Sequence, residues 1–181
     1  MKNIFLILFS CTLMSMYAQY PNHKFSFALG DNDIVNGHSI ATDNIGNVFI
    51  SGSLVNSTVD FDPGPSTYNL TSSSNDLFLA KYTGNGQLSW AFLIKDGGFG
   101  SYPTKITIDN SGNLYVAADG FIYPSTDFDP GPGTFTLNAI GKRSCILAKY
   151  TSNGQFLWVK PITATPMNGL ILPYELAISN N

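Results

Sequence analysis

The hexapeptide Asp-Phe-Asp-Pro-Gly-Pro occurs twice, at Asp60–Pro65 and at Asp127–Pro132. Each copy sets two carboxylates two residues apart: Asp60 with Asp62, and Asp127 with Asp129. In extended backbone such residues share a face, roughly 6.6 Å apart along the strand. That spacing lies within the general range of acid/base carboxylate pairs in glycosidases. The D-x-D-x-G order also resembles the opening of a calcium loop, where the ion takes about 6–8 oxygen ligands. A third acid and the closing bidentate Glu of an EF-hand loop are absent from both copies. The third chemistry is conformational. Pro63 and Pro130 force the preceding aspartates into extended backbone, Gly64 and Gly131 permit a sharp bend, and Pro65 and Pro132 stiffen the exit. A carboxylate there can accept a backbone N–H and close an Asx-type turn. Phe61 and Phe128 are then expected to point the other way and anchor the loop. An enzyme needs one site of specialised residues, whereas this motif is repeated whole. The turn therefore takes precedence, calcium at Asp60, Asp62, Asp127 and Asp129 stays open behind it, and no catalytic residue is assigned.

The elements that must hold these corners are themselves duplicated. Asp43 matches Asp109, 66 positions on; Asp60 matches Asp127, 67 on; Trp90 matches Trp158, 68 on. The offset grows by one in each of two loops, where insertions are cheapest. Each unit reads as strands: SIAT or KITI, a DNIGN or DNSGN turn, NVFISG or NLYVAA, the insert with TYNL or TFTL, then LFLAKY or CILAKY. A TGNGQ or TSNGQ hairpin follows, whose Asn-Gly pair is a strong hairpin signal, and then LSWAFLI or FLWVKPI. The first unit is expected over about 39–95 and the second over about 105–162. FSFALG before the first unit resembles WAFLIK at the joint, and LAISNN at the other end resembles ITIDNS, so partial strands of neighbouring units flank both. Runs such as Leu77-Phe78-Leu79-Ala80 are apolar without alternation. They predict strands covered on both faces, hence sheets stacked face to face. The expected class is all-β, an incomplete antiparallel β-propeller of about 67-residue blades, because stacked four-stranded units around an axis make that fold.

DNIGNVFISG, DLFLAKYTGNGQLSWA and their second copies resemble the bacterial β-propeller repeats called SBBP repeats. The DFDPG-type insert is similar to a variant of exported surface proteins that often carry a type IX secretion sorting domain. The resemblance spans Phe25–Asn181 and implies a propeller and a place at the cell surface. It does not imply an activity. Since propellers have about 4–8 blades, the chain is expected to be a fragment of a longer protein. AKYTGNGQLSW is also similar to the hairpin of quinoprotein propellers, with Tyr82 where that pattern has Asp. Trp90 and Trp158 are expected as packing between units rather than as cofactor contacts.

The remaining reactive side chains do not repeat. His23 and His38 have no counterparts and no nucleophile elbow nearby, so both are read as solvent-facing. Cys145 aligns with Leu77 and is read as a small hydrophobe in a strand. Asn56 and Asn69 fit the glycosylation pattern but carry no weight in a bacterial chain.

Composition bounds the rest. Charged residues make up 12% of the 181, the net charge is −3, and only one of the 12 acids, Glu175, is a glutamate. No basic footprint exists for nucleic acid or for an anionic membrane. The opening MKNIFLILFSCTLMSMYAQ reads as a secretory signal over residues 1–18, cleaved after Ala18, with an apolar core too short to span a bilayer. A lipoprotein signal acylated at Cys11 is the rival. The mature chain, 19–181, is expected to be secreted or on the cell surface without a transmembrane segment. Its expected role is non-enzymatic, a scaffold or recognition module for an unknown protein or glycan ligand. A calcium- or glycan-binding adhesin-type propeller is the alternative, and an enzyme whose catalytic blades lie elsewhere comes third.

Overall fold

The computed structural model describes residues 25–30, 34–95, 99, 104–138, 143–162 and 172–179. The signal sequence expected at 1–18, Cys11 and His23 lie outside the described residues. Among the described residues there is no α-helix, and no helix is long and apolar enough to cross a membrane. The fold is all-β and every strand pairing is antiparallel.

Among the described residues ten strands follow one another: β1 Ile34–Thr42, β2 Val48–Val55, β3 Thr58–Asp60, β4 Asn69–Thr71, β5 Asn75–Tyr82, β6 Leu88–Ile94, β7 Thr104–Ile108, β8 Leu114–Phe121, β9 Arg143–Tyr150 and β10 Phe156–Ile162. They form two four-stranded sheets, β1-β2-β5-β6 and β7-β8-β9-β10, and a two-stranded ribbon, β3-β4. The insert of the first unit is that ribbon. In the second unit it shrinks to one bridge, Asp127 with Thr136, the counterparts of Asp60 and Asn69.

The turns explain the repeated letters. In D-x-x-G-N the aspartate caps its own turn: Asp43 Oδ1 accepts the amides of Ile45 (3.1 Å) and Asn47 (2.9 Å), and Oδ2 accepts Asn47 Nδ2 (2.7 Å). Asp109 does the same with Ser111, Asn113 and the Asn113 side chain at 3.0, 2.8 and 2.9 Å. Gly46 and Gly112 sit at φ +85° and +79°, where a side chain is strained. At the Asn-Gly hairpins only the glycines, Gly86 (+84°) and Gly154 (+78°), have positive φ. A primed two-residue turn would need it at the asparagine too. The structure instead uses a wider loop with a register break beside it, between Lys81 and Tyr82 and between Phe156 and Trp158, closed by amides bonding back to Thr83 and Thr151 Oγ1.

The capped turns make stability sensitive to acid. Burial, the largest single influence on Asp43 and Asp109, raises their pKa, but the bonds from Asn47 or Asn113 and the nearby Lys81 or Lys149 together hold both below the ordinary 3.8. A depressed carboxylate stabilises the fold above 3.8 and loses that contribution as pH falls through its folded value. The urea midpoint is therefore expected to drop between about pH 5 and pH 3, and less steeply in an Asp43→Asn/Asp109→Asn double variant, which retains an acceptor without the titration. Equal slopes would show that other groups drive the acid transition.

The sheets pack face to face. One cluster unites Phe49, Leu77, Leu79 and Ile94 of the first sheet with Ile106, Val116, Ile146, Ala148 and Tyr150 of the second. The opposite face of the first sheet carries its own cluster, Leu54, Phe78, Ala80 and Tyr82, covered by Val59 and Leu70 of the ribbon and by Phe27 and Leu29 of the incoming chain. The unalternating runs are thus strands buried from both sides. Trp90 marks the joint. Its Nε1 donates to the Ser152 carbonyl at 3.1 Å, Lys81 Nζ donates to the same oxygen at 2.9 Å, and the ring lies against Gly154. Trp158 meets Tyr115 edge-on at 6.1 Å, the counterpart of Trp90 on Phe49 at 6.0 Å.

Candidate functional site: a groove at each repeat junction

Both DFDPGP corners are built alike. Asp60 Oδ1 accepts the amides of Asp62 (2.9 Å) and Tyr68 (2.7 Å), and Asp62 Oδ1 accepts that of Gly64 (2.8 Å). Asp127 Oδ1 accepts Asp129 (3.0 Å) and Phe135 (2.8 Å), and Asp129 Oδ1 accepts Gly131 (2.9 Å). Phe61 and Phe128 are fully buried. Their carbonyls accept the hydroxyls of Tyr82 and Tyr150, each at 3.0 Å. Burial first, then the adjacent aspartates, pushes both phenols far above their ordinary value, so they remain donors. Three side-chain-to-backbone bonds thus close each corner on itself, and a tyrosine hydroxyl with one buried ring holds it to its sheet.

This geometry assigns one oxygen of every motif aspartate to a backbone amide. Among the described residues no group of three or more His, Cys, Asp or Glu is arranged to hold a metal ion. Two carboxylates with one oxygen each already engaged fall short of a calcium shell of about 6–8 oxygens. The thermal midpoint of the purified chain is accordingly expected to be the same in EDTA and in millimolar calcium. A rise of several degrees with calcium would make the corners ion sites.

The corners wall two grooves. The first, about 530 Å³, lies between Phe25–Phe27, the Asp62–Ser66 corner and the Asn85–Leu88 turn. The second, about 550 Å³, lies between Tyr68, Trp90–Phe92, the Asp129–Pro132 corner and the Asn153–Phe156 turn. These are the same place in successive units. Asp62 matches Asp129, Asn85 matches Asn153, Gln87 matches Gln155, and Phe25-Ser26-Phe27 stands where Trp90-Ala91-Phe92 stands one unit later. Each groove thus spans a junction, with aromatic rings from the preceding unit and polar loops from the following one.

The chain matches no family model and no curated protein.

The other candidate residues lie apart. His38 is the extra residue of a bulge in β1, between Gly37 and Ser39. The bulge leaves its side chain half-buried rather than turned to solvent. Burial, and then the charge of Lys105, lowers its pKa below 6.5. Asn56 is exposed in the β2–β3 turn with φ +45°, and Asn69 is exposed at the start of β4. Cys145 is 3% exposed in β9. Burial, and then Asp119, pushes its thiol up to about 11, which disfavours the thiolate. Cys145 is expected to resist an aromatic disulfide reagent at about pH 8 and to react promptly in denaturant. Fast labelling of the native chain would contradict its burial.

Sequence reading located the corners but not the grooves. The groove needs the preceding unit's rings as its floor, and the cue was the parallel between FSFALG and WAFLIK. Tyr68 had no signal beyond its place in TYNL.

Proposed function

We propose that this chain is a non-enzymatic, exported β-propeller-type repeat module of the SBBP kind, serving at the cell surface as a scaffold or recognition protein. One observation carries the reading: a groove lined by equivalent positions recurs at successive junctions. A catalytic centre gathers specialised residues once, whereas repeated equivalent grooves suit repeated binding of one kind of ligand. The two stacked four-stranded sheets, the exposed corner loops and the low charge agree with a propeller blade pair presenting loops outward.

The test is to express the full chain with its own N-terminus in a bacterial host, recover it from the medium or surface, and probe it against extracellular glycans and proteins. Saturable binding without turnover, weakened by substitutions at Asn153 and Gln155 in the groove, is the expected result. Retention of the chain in the cytoplasm, or substrate turnover abolished by Asp129→Asn, would reverse the reading.

A further inference from the structure

We propose that the groove at the junction of the two sheets binds an uncharged or amine-bearing sugar ring, with Tyr68 as its platform. This rests on the recognition reading above and names the class of ligand. Tyr68 is 44% exposed although its hydroxyl is satisfied: it donates to the Ala91 carbonyl of β6, in its own unit, at 3.0 Å. That bond holds the ring in a fixed orientation with much of its surface left to solvent. Trp90 and Phe92 lie beside it in the same groove, their rings 5.4 Å apart and stacked. An apolar aromatic wall of this kind takes the C–H face of a pyranose, as ligand sites pair aromatic surface with a few placed polar groups.

Those polar groups face it. Asp129, Asn153 and Gln155 line the opposite wall. Asp129 Oδ1 is engaged by Gly131, and Oδ2 lies beside Gly133, where an added Cβ would approach it to 2.5 Å. A side chain at 133 would crowd that oxygen. The Asp129 carboxylate accepts, and the Asn153 and Gln155 carboxamides both donate and accept, a set that matches vicinal hydroxyls. Among the described residues no Lys, Arg or His lines the groove, so a carboxylated or sulfated sugar meets only a like charge there. Pro130 and Pro132 stiffen the wall and lower the cost of ordering it on binding. The first junction offers a second groove with Phe25, Asp62, Asn85 and Gln87.

The test titrates the full purified chain with chito-, cello- and manno-oligosaccharides and with alginate oligosaccharides as the acidic comparison. At least one neutral or amine-bearing series is expected to bind and alginate not to. Tyr68→Ala is expected to weaken binding about tenfold, Asn153→Ala severalfold, and Tyr68→Phe, which keeps the ring, least. Both positions are on the surface, and unchanged thermal midpoints check that each variant folds. Absence of binding by all neutral series, alginate binding equal to them, or affinity indifferent to Tyr68→Ala and Asn153→Ala would overturn the proposal. A parallel panel of extracellular proteins separates the two readings. Protein binding that Tyr68→Ala abolishes would overturn the sugar and leave recognition standing, and silence on both panels would remove both.

Discussion

Phe128→Ala is expected to lower the free energy of unfolding by about 3–5 kcal/mol, the cost of emptying a fully buried aromatic site. Phe128 has no exposed surface, meets Phe99 edge-on at 5.9 Å and belongs to the cluster shared by both sheets. Its backbone is tied as well: the amide donates to Phe135 and the carbonyl accepts Tyr150. The ring anchors the corner, and the corner walls the second groove. Removing the ring should therefore lower the thermal midpoint by on the order of 10 °C and also reduce ligand binding at that junction. Phe61→Ala should do the same in the outer cluster. Urea unfolding checks the magnitude. A loss under about 1 kcal/mol would mean that the loop, and not the ring, fastens the corner.

The second large effect separates backbone strain from packing at the joint. Gly154 and Gly46 both have positive φ, +78° and +85°. An alanine in that region costs about 1–2 kcal/mol at either site. Beyond that the sites differ. A Cβ at Gly46 meets nothing within 4 Å, whereas one at Gly154 lies 3.0 to 3.3 Å from three atoms of the Trp90 ring. Trp90 is held by its bond to Ser152, so relief requires opening the joint, an overpacking cost of about 1–3 kcal/mol more. Gly154→Ala is thus expected to destabilise by about 2–5 kcal/mol and Gly46→Ala by only the strain. Equal losses in denaturant titrations would show that the Trp90–Gly154 contact contributes nothing to stability.

Much of this architecture was legible as text because the chain states it twice. Comparing copies set the strand order, the turns and the place of the corners, and the unalternating apolar runs announced burial on both faces. The extra strand read in TYNL formed as β4, but its partner β3, only three residues long, has a pattern too short to stand out. The TFTL counterpart formed only a single bridge at Thr136. Residues with one copy were read least well. His38 looked like a surface histidine, and a bulge, invisible to periodicity, half-buried it. The groove was hidden because it belongs to neither unit alone. Tyr68 comes from the insert of one repeat and Asp129 from the corner of the next, and only the stacking of the sheets brings them together.

The joint also bears on how such a chain can change. Trp90 and Lys81 both reach the Ser152 oxygen, which is a main-chain atom, and the Trp90 ring rests on a residue with no side chain. The corresponding position in the first unit is Gly84, a different residue with the same carbonyl. One unit thus recognises the path of the next unit's backbone and not its lettering. Duplication can add a unit that already fits, and the outward side chains of that turn can then diverge freely, so the seam and the binding specificity can evolve independently.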